Sequence, residues 1–462
     1  MDATDLAYAG AARQARLIAA GEASAREVVG ATLERIERLD PQLNAYRVVF
    51  AERALAEADQ ADARRRAGDA RPLLGVPVAI KDDTDVAGEA MARGTDASDL
   101  TPRPRDAEVV RRLRAAGAVV VGKTNVPELM IWPFTETPSF GVTRNPWALG
   151  RTPGGSSGGS GAAAAAGLCG VALGTDGAGS IRIPAAFCGL FGLKPQSGRV
   201  PLDRGASDAW HGMNAAGPIA RTVADAALFL DAVADDVPEG GFAGAAARPP
   251  GRLRIAVATK MPPGVAARLG RPQRDAVAAT AGLLRTLGHE VVEREIAYGA
   301  SGAANVFSRY LRGIHDEAAS VAHPERLTPR TRAMAKRGGL IPPGVVARAR
   351  AAVPALTARV NAVLATADVI LLPGPSGPPF RIGQLDGRGA TRTLNTAAGR
   401  VPYYGAFNAT GQPACSVPAG FDGDGLPLAV QLAGRPRDEA TLLSLAAQIE
   451  GARPWADRRP PL

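Results

Sequence analysis

Three short segments carry side chains that could do chemistry on a carbonyl carbon. One is Gly75-Val-Pro-Val-Ala-Ile-Lys81-Asp82, which ends in a lysine followed by an aspartate. The second is the run Gly154-Gly-Ser-Ser-Gly-Gly-Ser160, and the third is Thr175-Asp-Gly-Ala-Gly-Ser180-Ile-Arg-Ile-Pro184. A serine hydroxyl is a weak nucleophile at neutral pH and needs an adjacent base. His211, His289, His315 and His323 all lie outside these segments. The only base the segments offer is Lys81, with a second serine available to stand between it and the first. The chemistry suggested is that of a serine hydrolase without histidine.

Each segment also has a plainer reading. Ser180 stands at an expected helix start, where a hydroxyl caps free N–H groups. The same N–H groups and the helix dipole would equally suit an oxyanion formed when Ser180 attacks a carbonyl. The glycine–serine run could be a flexible linker, or a place where backbone passes close to backbone. Gly117 to Thr124 matches the phosphate-loop pattern, but its four central residues read as a strand rather than a glycine-rich loop. Nucleotide binding is therefore not expected. Cys188, in Ala-Phe-Cys-Gly, reads as a small packed residue. Lysine is scarce: only Lys81, Lys123, Lys194, Lys260 and Lys336 among 54 Lys and Arg residues. A lysine at position 81 in an arginine-biased chain suits a group that must lose its proton, which arginine cannot do.

The elements that must position these residues follow from periodicity. Helical spacing of apolar residues predicts helices over Glu27–Leu39 and Ala51–Ala67. Leu73–Ile80 reads as a buried strand delivering Lys81 at its tip. Asp106–Ala116 reads as an amphipathic helix stopped by Gly117, and Ala118–Val121 as a strand. A helix after Gly158, a strand near Val171–Leu173 and a helix from about Ser180 follow. Residues 236–250 read as loop. Strands are expected at Arg252–Ala258, Val369–Leu372, Ala414–Val417 and Leu428–Leu432, with helices over Gln273–Leu287 and Glu439–Glu450. This alternation predicts an α/β fold with a largely parallel sheet. No internal repeat or clear domain break is visible, so residues 1–462 are taken as one domain. Within it, 1–70 form a helical segment, 75–200 the core with the candidate site, and 250–462 the rest of the sheet and the pocket cover.

Composition excludes several function classes. A chain of 462 residues that is 46% hydrophobic and 21% charged can bury a large core. No apolar run approaches the ~18 residues of a membrane span, so no membrane association is expected. The net charge of +9 comes from scattered arginines without interleaved aromatics, so no nucleic-acid partner is expected. Three cysteines are odd in number and too few for a disulfide framework. With an acidic start that lacks a signal-peptide basic region, they point to the cytoplasm.

Taken together, the three segments resemble the amidase signature family of serine hydrolases. The resemblance extends through Gly122–Asn125, Arg144–Trp147, Phe187–Pro195, Gly217–Asp225, Phe407–Pro413 and Gly425–Arg435, covering essentially the whole chain. It implies a central twisted mixed sheet of about ten or eleven strands, covered by helices on both faces. It implies that Ser180 is the nucleophile, Ser156 a bridging serine on a cis Gly155–Ser156 peptide, and Lys81 the base. The N–H groups of Gly177, Ala178, Gly179 and Ser180 would form the oxyanion hole, with Ser157, Asp176 and Arg182 in support. Arg182 reads as half of a structural ion pair, with a substrate carboxylate as its alternative partner. No metal or cofactor is implied, and the partner is a small-molecule amide acted on by a monomer or homodimer.

Two positions depart from the family pattern. Ala178 replaces a more usual glycine, and a positive φ there would cost on the order of 1 kcal/mol. Ile183 stands where the glutamine-hydrolysing subunit of a tRNA-dependent amidotransferase typically has glutamine. That favours a stand-alone amidohydrolase over such a subunit, which remains the alternative. A silent binding protein of the same fold is the third reading. Met130, Ile131, Trp132 and Phe134 read either as core or as the wall of an apolar pocket. In the second case aryl or aliphatic amides, anilides, esters or carbamates are the expected substrates.

Overall fold

A strand that is apolar at nearly every position requires cover on both faces. In the computed structural model, which describes residues 2–202 and 209–462, Pro77–Lys81 is such a strand and is buried throughout. The strands in chain order are β1 (Tyr46–Val49), β2 (Pro77–Lys81), β3 (Val119–Thr124), β4 (Glu136–Thr137), β5 (Gly141–Val142), β6 (Val171–Asp176) and β7 (Phe191–Lys194). They continue as β8 (Ala215–Ala220), β9 (Arg254–Val257), β10 (Glu290–Glu293), β11 (Val369–Pro373), β12 (Ala414–Phe421) and β13 (Pro427–Ala433). β4 and β5 form a separate pair. The others make one 11-stranded sheet in the order β1-β3-β2-β6-β8-β7-β12-β13-β11-β9-β10, flanked by helices.

The sheet is mixed rather than largely parallel. β2 lies parallel between β3 and β6, and β9 lies parallel between β11 and β10. Between these groups, β8, β7, β12 and β13 are antiparallel to every neighbour. Alternating helix and strand signals report element type but not the direction of pairing. The tight turn Asp422–Leu426 lets β12 and β13 pair as a hairpin with no crossover helix.

Side-chain alternation along β2 decides where Lys81 goes. Val76, Val78 and Ile80 enter one core with Ala226, Phe229 and Leu230 of the helix Val223–Val233. Ala79 enters the opposite core, with Ala162–Ala165 of the helix Gly158–Ala165. Successive strand residues face opposite sides, so Lys81 shares the Ala79 face and is aimed at the chain leading into that helix. Each fully buried Val or Ile contributes about 1.5–3 kcal/mol, which holds the strand in this register.

The helices expected near the N-terminus are Ala25–Leu43, opened by a Ser24/Glu27 capping box, and Ala51–Arg66. β1 between them leaves no local signal, because its four residues are organised by pairing with β3. The helix expected over Asp106–Ala116 spans Glu108–Ala115 and ends at Gly117 with φ +96°. The segment 236–250, expected as loop, contains the helix Gly241–Ala246. Its first N–H groups are capped from a distance, Phe242 and Ala243 donating to Asp231 at 2.6 and 2.9 Å. Local sequence cannot reveal that cap. Cys169, Cys188 and Cys415 are free and buried. Among the described residues no helix is long and apolar enough to cross a membrane.

Candidate active site

At the tip of β2 the Lys81 side chain is completely buried. Its Nζ lies 2.8 Å from Ser156 Oγ, 2.7 Å from Thr175 Oγ1 and 3.2 Å from the Thr175 carbonyl oxygen. Asp83 Oδ2 is 3.3 Å away and accepts from Thr175 Oγ1 at 2.5 Å. Burial pushes the Lys81 amine below the ordinary lysine value, against the opposing pull of Asp83 and then Asp176. A neutral amine has two N–H donors and one lone pair. The two donors match the two oxygens of Thr175, and the lone pair is left for the Ser156 hydroxyl. Neither Thr175 nor Asp83 stands out from sequence as a partner of Lys81, although Thr175 opens one of the reactive segments and Asp83 directly follows another.

Ser156 follows a cis Gly155–Ser156 peptide bond. Ser157 donates from Oγ to the Thr175 carbonyl at 3.3 Å and from its N–H to the Ser180 carbonyl at 3.2 Å. The helix Gly158–Ala165 that comes next is buried at every residue, which rules out the linker reading. Its glycines allow close approach: a β-carbon at Gly159 would lie 2.3 Å from the Ala45 carbonyl oxygen.

The turn after β6 is organised by Asp176. Its Oδ1 accepts from Gly179 N–H at 2.6 Å, and its Oδ2 from Ile181 N–H at 3.1 Å and Arg182 N–H at 3.4 Å. The N-cap of the helix Arg182–Phe187 is Ile181, so Ser180 does not have the capping role and lines the cleft instead. Of the four N–H groups expected to form the oxyanion hole, that of Gly179 is taken by Asp176. The N–H groups of Gly177, Ala178 and Ser180 donate to no described protein acceptor. The strained position is also not Ala178, whose φ is not positive, but Gly179 at +117°. A β-carbon there would come within 2.8 Å of Ile183 and Tyr404.

Arg182 is buried and turned away from the cleft. It holds Asp176 through Nε at 2.9 Å and Nη2 at 3.0 Å, Gln431 Oε1 through Nη1 at 2.6 Å, and Asn408 Oδ1 through Nη2 at 2.6 Å. Burial alone would raise the Asp176 carboxyl. The Arg182 charge and the hydrogen bonds from Arg182 and Asn408 outweigh it and hold the group well below the usual carboxylate range. No Arg182 donor is left for a substrate carboxylate. Lys194, also buried, donates to the carbonyls of Pro195 and Gly411 at 2.8 and 3.3 Å. Burial and the nearby Arg182 push it down to about 7. Lys123 of the phosphate-loop pattern sits on β3, buried and paired with Asp82 at 2.9 Å, leaving it unavailable to a phosphate.

Ser156 and Ser180 open into a cleft of about 1320 Å³, counted out to solvent. Met130, Ile131 and Trp132 line it. Phe134 does not: it lies behind the wall, stacked on Trp132 at 5.7 Å and edge-on to Phe380 at 6.3 Å. A run of apolar residues cannot all face one cavity, and the backbone turns at Leu129 and Met130, with φ +50° and +59°. The far walls come from Trp210 and Asn214, residues 262–265, the helix Gly299–Ala319, and residues 394–406. These walls leave no mark in the sequence, because they carry no reactive group and meet only in the folded chain. Asp83 is the only charged side chain lining the cleft among the described residues.

Known proteins match both the sequence and the fold. The amidase family model matches residues 27–443. A relative from Mycobacterium tuberculosis named "Putative amidase AmiB2" is 57% identical over 461 residues, spanning 100% of this chain and 99% of its own. The 6-aminohexanoate-cyclic-dimer hydrolase of Pseudomonas sp. is 36% identical over 98% of this chain and 96% of its own. The crystal structure of a bacterial aryl acylamidase of the amidase signature family superposes with a TM-score of 0.86 at 26% identity, covering 98% of this chain and 99% of that one. The chain belongs to the amidase signature family. It is an amidase, a hydrolase acting on amide C–N bonds.

Proposed function

We propose that this amidase cleaves uncharged aryl or aliphatic amides through an acyl-enzyme, with Ser180 as nucleophile, Ser156 as relay and Lys81 as base. The observation that carries this reading is the set of Lys81 contacts. Nζ lies buried 2.8 Å from Ser156 Oγ and, once neutral with its two N–H groups on the Thr175 oxygens, has a lone pair free to take the Ser156 proton.

Ser180 Oγ attacks the amide carbonyl carbon as its proton passes to Ser156 Oγ, whose own proton moves to Lys81 Nζ. The oxyanion is met by the uncommitted N–H groups of Gly177, Ala178 and Ser180. Reversal of the relay delivers the proton to the amine nitrogen, the C–N bond breaks, and the amine departs. Water then enters, gives a proton to the same relay, and releases the acid from Ser180. Esters and carbamates pass through the same kind of tetrahedral intermediate and fit the same machinery. The apolar cleft supports an uncharged substrate, as do relatives whose names specify an aryl acylamide and a cyclic dimer of 6-aminohexanoate.

Incubation with a fluorophosphonate followed by peptide mass spectrometry tests the assignment. One adduct per chain on Ser180, absent from Ser180→Ala, is the expected result. Labelling elsewhere, or no labelling in an enzyme that still turns over amides, would refute it.

A further inference from the structure

The segment that enters β8 carries two consecutive residues in the left-handed region, Trp210 at φ +52° and His211 at +54°. Such backbone costs of order 1–3 kcal/mol per residue outside glycine and persists only where its surroundings impose it. Here they do. Arg309, buried in the helix Gly299–Ala319, donates to the His211 carbonyl from Nε at 3.0 Å and Nη2 at 2.7 Å. Its Nη1 also holds Asn305 Oδ1 and the Ala409 carbonyl, each at 3.1 Å. The His211 ring lies 2.9 Å from Asp316.

What this anchoring presents is an indole at the reaction centre. Trp210 lines the cleft beside Gly177, where an added β-carbon would be 3.8 Å from the indole. The indole also rests on Gly313, where a β-carbon would come within 2.8 Å of it. Its ring stands 5.6 Å from that of Tyr310, whose hydroxyl donates to the Ile131 carbonyl at 2.5 Å. Trp210 thus bridges the oxyanion turn and the aromatic wall.

We infer that Trp210 is a specificity-determining residue that grips an apolar substituent of the bound amide, and that Arg309 is the positioning residue holding it there. An amide seated with its carbonyl at the oxyanion turn has the indole, which lines the same cleft beside Gly177, within reach of one of its substituents. A flat aryl or broad aliphatic group gains that contact, and a methyl group does not reach most of it. Arg309 acts only through the His211 carbonyl and touches no substrate. This inference rests on Ser180 being the nucleophile.

The test uses acetamide and two amides that each enlarge one side of it, acetanilide on the amine side and phenylacetamide on the acyl side, with the full-length enzyme and its Trp210→Ala, Trp210→Phe and Arg309→Lys variants. For Trp210→Ala, KM for acetanilide or phenylacetamide should rise about tenfold more than KM for acetamide, the scale of a lost aromatic contact. Trp210→Phe should recover most of it. Arg309→Lys should show the same selective loss and should not add to Trp210→Ala. Equal losses on all three amides, or none, would overturn the role of Trp210, and an additive or unselective Arg309→Lys would overturn that of Arg309. Fluorophosphonate labelling of Ser180, run alongside, keeps the two readings apart. Its absence sinks the Ser180 assignment, whereas its presence with unchanged selectivity sinks only the inference about Trp210.

Discussion

A lysine can serve as a base near neutral pH only if its surroundings favour the amine over the ammonium. At Lys81 complete burial does so, while Asp83 at 3.3 Å works against it. Below the Lys81 pKa the base is protonated and the relay is blocked, so kcat/KM should rise with pH through that value and then level off. Asp83→Asn removes the carboxylate that favours the ammonium, so the acid limb of the profile should move to lower pH. A shift to higher pH would contradict this account. Lys81→Arg keeps a cation but cannot lose its proton. It should be as inactive as Lys81→Ala, each at least ~10³-fold below the parent in kcat. Retained activity in the arginine variant would exclude Lys81 as the base.

At the scale of elements, the turn between β6 and the helix Arg182–Phe187 depends on two residues that do no chemistry. Gly179 holds φ +117° against Tyr404 and Ile183. Gly179→Ala should cost about 1–3 kcal/mol in denaturant unfolding and lower kcat by displacing the neighbouring N–H groups. Asp176 neutralises Arg182 where neither is exposed. Asp176→Asn leaves a buried cation unpaired and should cost about 3–5 kcal/mol. The linkage has a definite sign. The native Asp176 pKa lies below its unfolded value of about 3.9, so the stability it contributes is present above that pH and lost as pH falls through the native value. Acid melts of the parent should therefore steepen below about pH 4 more than those of Asp176→Asn.

At the scale of the whole molecule, the cleft is assembled from elements far apart in the chain, and its character follows from what they leave out. Asp83, engaged with Lys81, is the only charged side chain on its wall among the described residues. An amide bearing a free carboxylate would have to bury it without a partner, which costs several kcal/mol. Malonamate should therefore show a kcat/KM at least ~100-fold below that of an uncharged amide of equal size. Comparable rates would mean that a cation reaches the cleft.

The amino-acid sequence by itself determines a good part of this protein. Lys81, Ser156 and Ser180 are singled out as candidates because their three segments together resemble the amidase signature family, although each segment alone also admits a plainer role. β2, β6 and the flanking helices can be placed because buried strands and amphipathic helices leave strong local patterns. Arg182 reads as half of a structural ion pair because it lies within the motif block, whereas its partner Asp176 is identified only by the fold. What only the tertiary structure decides is everything set by contact between distant segments. That includes the antiparallel centre of the sheet, the withdrawal of the Gly179 N–H to Asp176, and the exclusion of Phe134 from the cleft. It also includes the partnership of Lys81 with Thr175 and Asp83, and the seating of Trp210 by Arg309. The physical reason is the same in each case. Local sequence encodes period, propensity and reactive groups, whereas hydrogen-bond allegiance and cavity walls depend on which residues packing brings within a few ångströms.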